Sequence, residues 1–177
     1  MLVNLILIRH GESEANVDES IYYKIPDHKI KLTDLGKEQA RIAGTQLNIL
    51  HRYETTRIIY SPYVRAKETA QIIEQEIKAI SFKEEPLLHE ISLSHSIEEM
   101  NNQKSFLSSE RDDFSFYWYK EGTAESYADV YNRAKIFYQG LLLNNYDLNE
   151  NDNLIIVSHG VFLLMLKAVI YKHSVEE

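Results

Sequence analysis

Leu2-Val3-Asn4-Leu5-Ile6-Leu7-Ile8-Arg9-His10-Gly11-Glu12-Ser13 opens the chain with an apolar run that stops at an arginine and a histidine. So short a run, bounded by polar residues, predicts a buried strand over Leu2 to Ile8. A second such stretch, Ile155-Ile156-Val157, stops near the other end of the chain at Ser158-His159-Gly160. In open α/β sheets the carboxyl ends of parallel strands border the ligand crevice. His10 and His159 are therefore expected to converge there from opposite ends of the sequence.

Between these strands the pattern alternates. Thr33 or Asp34 can cap a helix whose apolar face is Leu35, Ile42, Ala43, Leu47 and Leu50. Arg57 to Tyr60 reads as a short strand. Ser61-Pro62 then predicts an N-cap and a first-turn proline for a helix carrying Ala66, Ala70, Ile73 and Ile77. Ser81 to Leu88 predicts a further strand, with Pro86 marking an edge or an end. A helix is expected from about Glu125 to Asn144, with Val130, Tyr131, Ala134, Phe137, Tyr138 and Leu141 as its apolar positions, and Asn153 to Ser158 is the last strand. Val161 to Tyr171 is apolar nearly all round and predicts a buried helix. This alternation predicts an α/β fold: a single three-layer α/β/α domain over residues 1–177, with a mainly parallel central sheet covered on both faces. The irregular, aromatic-rich stretch at about 92–122 predicts a lid-like insertion.

Composition narrows the function classes. The chain has 177 residues, 44% of them hydrophobic, a formal charge of −8 and a pI near 5.4. One domain is the expected size class. The negative charge argues against nucleic acid or an anionic membrane as partner, because neither steering nor counterion release would favour binding. An anionic ligand must meet a local cluster of Arg and His. There is no cysteine, which removes disulfides, thiolate zinc sites and cysteine nucleophiles and fits a cytoplasmic setting. The first apolar run lacks a basic lead-in and is too short for a membrane span, so neither a signal peptide nor an anchor is expected there.

The residue types suit phosphoryl transfer to histidine. A neutral imidazole is a competent nucleophile near pH 7, and the reaction needs cationic donors for the equatorial oxygens and an acid for the leaving oxygen. His10 would be the nucleophile, Arg9 and Arg65 the bidentate donors, His159 a further donor and Glu90 the acid. Arg65 lies near a helix start, where the macrodipole disfavours a cation and a bound phosphate would favour it. Ser13 and Asn16 can bind phosphate or stabilise turns. No His-Glu-x-x-His, calcium-loop or Walker pattern occurs, so no metal is expected.

Four stretches taken together resemble the histidine phosphatase superfamily, also called phosphoglycerate mutase-like. They are Leu7 to Asn16, Leu32-Thr33-Asp34-Leu35-Gly36-Lys37-Glu38-Gln39-Ala40, Ser61-Pro62-Tyr63-Val64-Arg65-Ala66 with Thr69-Ala70, and Val157-Ser158-His159-Gly160. The resemblance implies that His10 is phosphorylated, that Arg9, Arg65 and His159 complete the phosphate pocket, and that Glu90 is the proton donor. It places Ser13 and Asn16 at positions that contact phosphate or substrate, and it implies neither metal nor cofactor. Ala124-Glu125-Ser126 stands where the family usually reads Gly-Glu-Ser, making Glu125 a candidate substrate contact. Glu90 is followed by Ile91-Ser92-Leu93-Ser94 instead of the family's glycine-containing aromatic turn. Similar proteins usually continue past Glu177; a missing tail would expose a sheet edge and favour a homodimer.

The function so implied is a metal-independent phosphatase acting on a small phosphorylated metabolite. The short inserted segments favour it over a cofactor-dependent phosphoglycerate mutase, the first alternative. The second is a non-catalytic phosphate-binding or scaffolding module.

Overall fold

Four strands lie side by side in the order β1-β4-β2-β3: β1 (Asn4–Arg9), β2 (Thr56–Tyr60), β3 (Ser81–Glu84) and β4 (Asn153–Ser158). The computed structural model describes residues 4–50, 55–92, 117, 118, 120 and 122–171. Every pairing in the sheet is parallel, so the fold is the expected α/β type. β4 pairs on both sides, and all six of its residues are buried. β1 pairs only with β4 among the described residues, and its side chains are half-buried or exposed, so it is not the buried strand its composition suggested.

Register places the ends of the strands. Asn4 stands opposite Asn153 and Arg9 opposite Ser158, so β1 and β4 finish level. Tyr60 stands opposite Val157, which brings Ser61 level with Ser158. The ladder runs one bond further on each side, from His10 N–H to the Ser158 carbonyl and from Ser61 N–H to the Val157 carbonyl, each 3.0 Å. Residues that follow the strands therefore emerge together at one edge of the sheet.

The described residues form two compact units, Met1–His89 with Asp147–His159 and Glu90–Tyr146 with Gly160–Glu177. The first holds the sheet, the short α1 (Glu14–Val17), α2 (Asp34–Leu50) and α3 (Val64–Ile77). Its core joins Ile58, Tyr60, Ile155 and Val157 of the sheet to Ala66, Ala70 and Ile73 of α3. Thr33 caps α2, its hydroxyl accepting the Gly36 N–H at 3.0 Å. The apolar face expected for α2 is wrong in part, since Leu35 and Ile42 are half exposed, at 55% and 50%. The inward face is instead built of small residues, Gly36, Ala40, Ala43 and Gly44, with Leu47. A Cβ on Gly44 would lie 2.9 Å from the Glu76 side chain and 3.2 Å from the Ile73 Cα. Close approach of α3 therefore selects small residues on α2, and the larger apolar ones point away.

Two further expectations need correction. Ser61 does not cap α3: the N-cap position is Tyr63, whose side chain makes no capping bond to the helix, and the Ser61 hydroxyl is engaged by His159. The strand expected over Ser81 to Leu88 ends at Glu84, and Pro86–Leu88 forms a 3-10 turn with Pro86 in its first turn.

The second unit contains α4 (Tyr127–Leu142) and α5 (Gly160–Tyr171). Ser126 caps α4 by accepting the Asp129 N–H, and Asp129 answers by accepting the Ser126 N–H. Phe137 meets Phe162 edge to face at 6.2 Å between the two helices. α5 is not buried all round, because Leu164 and Tyr171 are exposed. The lid-like insertion at about 92–122 lies largely outside the described residues, as do the chain's last six positions; Tyr117 and Trp118 are described, packed edge to face. No helix among the described residues is long and apolar enough to cross a membrane.

Candidate active site

His10 and His159 follow the level ends of β1 and β4, and their rings lie edge to face, 5.1 Å apart. Both are buried. The hydrogen bonds of His10 fix its tautomer. Nδ1 lies 2.7 Å from the Gly11 carbonyl, which can only accept, so Nδ1 carries the proton. Nε2 lies 3.2 Å from the Arg65 Nε–H, which can only donate, so Nε2 presents its lone pair. Burial, the largest cause, lowers the His10 pKa from 6.5 to about 4, assisted by the positive charges of Arg65 and Arg9 against the opposing bond to Gly11. His10 is thus a neutral imidazole at pH 7 with its nucleophilic nitrogen beside a guanidinium.

The depressed pKa has a consequence for stability. Above pH 6.5 His10 is neutral in both folded and unfolded chains; below it the unfolded chain takes up a proton that the folded one refuses. Stability should therefore fall as pH drops from 6.5 to about 4, by about 3 kcal/mol from this group. Urea unfolding across that range should show a shallower pH dependence in His10→Gln than in wild type, and equal slopes would refute the assignment.

Arg65 is buried at the start of α3, 3% exposed, despite the unfavourable helix dipole. Asp27 explains its tolerance: Arg65 Nη1 donates to both the Asp27 carboxylate, at 2.7 Å, and the Asp27 carbonyl, at 2.8 Å. With Nε turned to His10, Nη2 is the guanidinium nitrogen not committed to either residue. Arg9 is exposed at the end of β1, with its charge felt at His10. The His159 Nε2 lies 2.7 Å from the Ser61 hydroxyl, which also accepts the Tyr63 N–H at 3.3 Å. Tyr63 packs edge-on to His159 at 4.9 Å, with the Arg65 guanidinium 5.0 Å from its ring centre.

The loop after His10 is held by backbone. Gly11 N–H donates to the Thr69 hydroxyl at 3.1 Å, which itself donates to the Arg65 carbonyl at 2.8 Å, coupling the two halves of the pocket. Asn16 Oδ1 accepts from both the Ser13 N–H and the Ser13 hydroxyl at 3.0 Å, so these two candidates close the turn into α1. Ser13 is buried and Asn16 exposed.

Glu90 and Glu125 belong to the second unit. The Glu90 carboxylate is half-buried and accepts its neighbour's N–H, from Ile91, at 2.9 Å. Both oxygens of Glu125 are taken by Arg133, from Nε at 3.0 Å and Nη2 at 2.8 Å, and Oε2 also accepts the Ser92 N–H at 2.9 Å. Arg133 Nη2 reaches the Glu90 carbonyl at 3.5 Å. Glu125 therefore organises the backbone from Glu90 to Ser92. Asp27, Ser61, Tyr63 and Arg133 were not found from the sequence; their roles arise from contacts across turns that leave no periodic signal.

The sequence pattern of the histidine phosphatase superfamily (branch 1) matches residues 5–177. The chain belongs to that superfamily. This histidine phosphatase superfamily member is 32% identical over 188 residues to the phosphoglycerate mutase-like protein AT74 of Arabidopsis thaliana, spanning 98% of this chain and 59% of that protein. Among solved structures it superposes on Bacillus stearothermophilus YhfR with a TM-score of 0.73 at 25% identity, covering 98% and 82% of the two chains. It superposes on a phosphoserine phosphatase variant of Entamoeba histolytica, in complex with phosphoserine, with a TM-score of 0.65 at 27% identity, covering 97% and 81%. Its structural neighbours thus include phosphatases.

Proposed function

We propose that this protein is a metal-independent phosphatase that hydrolyses small phosphomonoesters through a phosphohistidine on His10. The observation that carries this is the double bonding of His10, which fixes Nδ1 as protonated and leaves Nε2 as the basic nitrogen beside Arg65. Nε2 attacks phosphorus as the ester P–O bond breaks, and Glu90 gives its proton to the departing alcohol. Arg65, Arg9 and His159 hold the three equatorial oxygens as charge spreads over them. Water then attacks the phosphohistidine, losing its proton to Glu90, and the P–N bond breaks to release inorganic phosphate and restore both groups. The pocket supplies its own cations and nucleophile, so no step calls for a metal.

Support for Glu90 comes from chain position. It follows His89, whose ring lies 6.2 Å from that of Tyr63, the residue that also meets His159. If Glu90 is the acid, Glu90→Gln should cost more with poor leaving alcohols than with p-nitrophenol, because a good leaving group needs little protonation. We expect about a hundredfold loss in kcat/KM, which reports the step in which the alcohol leaves, with an alkyl phosphate and under about tenfold with p-nitrophenyl phosphate. Equal losses would remove Glu90 from that role.

The deciding experiment is phosphate release from p-nitrophenyl phosphate and a panel of small phosphomonoesters in EDTA, wild type beside His10→Ala. Release that vanishes in the variant supports the reading, and loss of release in EDTA restored by added metal defeats it. Transfer from the phosphohistidine to a second hydroxyl of the substrate, in place of water, would make the protein a mutase.

A further inference from the structure

Arg65 touches His10, and a guanidinium can meet a phosphoryl group by more than one edge, because it is a flat fork with unequal sides. Nε–H and one Nη2–H lie along one edge, spaced to take two oxygens of a phosphate, and Nη1 stands at the corner away from it. Nε lies 3.2 Å from His10 Nε2, so this edge is the one turned to the nucleophile. The far corner is held. Nη1 has two hydrogens and meets two acceptors, the Asp27 carboxylate at 2.7 Å and the Asp27 carbonyl at 2.8 Å.

Two acceptors fix a direction where one would leave a pivot. They are fixed in turn: Asp27 opens the 3-10 turn Asp27–Lys29, and its carbonyl also accepts the N–H of the wholly buried Ile30 at 3.2 Å. Solvent has little access to the pair, whose side chains are 4% exposed on Arg65 and 27% on Asp27. The Tyr63 ring, 5.0 Å from the guanidinium carbon, borders the same group. A carboxylate beside a phosphate pocket repels the ligand, so simple attraction does not account for its place there. Control of how Arg65 is aimed does.

We propose that Asp27 is a positioning residue for phosphoryl transfer to His10: by holding Nη1 it presents the Nε–Nη2 edge of Arg65 to two equatorial oxygens of the transferring group. As that group arrives, Nε–H leaves His10 Nε2 for one oxygen and Nη2–H bonds the other. The lone pair on Nε2 is released for attack as the donors engage, and no proton changes hands in this exchange. Such a role rests on His10 being the nucleophile of the proposed reaction, but not on water being the final acceptor.

Orthovanadate, which expands to five-coordinate geometry against a nucleophile, and inorganic phosphate, which stays tetrahedral, separate aim from general binding. Calorimetry on the full chain should show wild type preferring vanadate by at least about a hundredfold. Asp27→Ala should lower that preference about thirtyfold, the scale of a misplaced donor. Asp27→Asn, whose amide oxygen still accepts from Nη1, should lose no more than about threefold, whereas Asp27→Glu, which keeps the charge but moves it by a methylene, should lose about tenfold. In Arg65→Lys, whose ammonium has no edge to aim, adding Asp27→Ala should cost a further threefold at most, about. A wild-type preference under about tenfold, Asp27→Asn as damaging as Asp27→Ala, or an equal cost of Asp27→Ala beside Arg65 and beside lysine would overturn the proposal. If Asp27→Ala does not fold, a wild-type preference in Asp27→Glu overturns it instead. Assay of kcat/KM with p-nitrophenyl phosphate keeps the hydrolytic reading apart. The expected vanadate pattern without turnover retains Asp27 in its role and defeats hydrolysis; turnover without coupling between Asp27 and Arg65 does the reverse.

Discussion

His10→Ala should lower kcat on the order of 10^5-fold while leaving a folded protein, the loss seen when a nucleophile is removed from a site whose other groups remain. Residual turnover would come from Arg65, Arg9 and His159 still binding and polarising a phosphate that water attacks directly. The two buried histidines are not interchangeable in this respect. His159 Nε2 is already engaged by the Ser61 hydroxyl at 2.7 Å, whereas His10 Nε2 meets, among the described residues, an N–H donor that a phosphate oxygen can draw away. The covalent label should follow the same division: an acid-labile, alkali-stable phosphoryl group in wild type and in His159→Ala, and none in His10→Ala. A label that survived in His10→Ala, or turnover above about a hundredth of wild type, would place the nucleophile elsewhere. Near-ultraviolet circular dichroism of the variant would verify that the loss is chemical.

The residues that end strands were legible because two independent signals coincide there, an apolar run and an abrupt polar stop. Parallel register then does the rest: Arg9 pairs with Ser158, so the residues that follow must meet. Arg65 was legible as part of a motif, but its burial was not, since nothing in Pro26-Asp27-His28 announces a carboxylate aimed at a helix start nearly forty positions away. Ser61 shows the converse error. Ser-Pro reads locally as a helix start, but a buried histidine competes for the hydroxyl and takes it. The face of α2 was misread because hydrophobic periodicity finds large side chains, whereas two helices in close contact select the smallest. Glu125 carried a family-like position, but its carboxylate is spent on Arg133, a partner eight residues on that the apolar pattern of α4 conceals.

Close packing also makes Gly36 the most vulnerable position outside the chemistry. Gly11 and Gly36 approach back to back: a Cβ on Gly11 would lie 2.3 Å from the Gly36 carbonyl oxygen, and one on Gly36 would lie 2.0 Å from the Glu12 carbonyl oxygen. Both obstacles are backbone, so no rotamer change relieves them. The Glu12 backbone is held besides by bonds from Thr33 N–H to its carbonyl and from its own N–H to Gln39, each within 2.9 Å. Gly36→Ala must push the loop off the start of α2, and we expect a loss of about 3 kcal/mol in urea unfolding, at the upper end for overpacking. The displacement should reach the chemistry, because the Gly11 carbonyl is what holds the proton on His10 Nδ1. At a temperature where the variant is still folded, kcat should fall at least about tenfold with little change in KM, since the phosphate donors of Arg65 and His159 are carried by other elements. Gly44→Ala is the control. It lies on the same helix as Gly36 but meets the flexible Glu76 side chain of α3 at 2.9 Å, and it should cost stability without the kcat loss. If Gly36→Ala and Gly44→Ala proved alike in both stability and kcat, the loop would not be what holds His10 in its reactive tautomer.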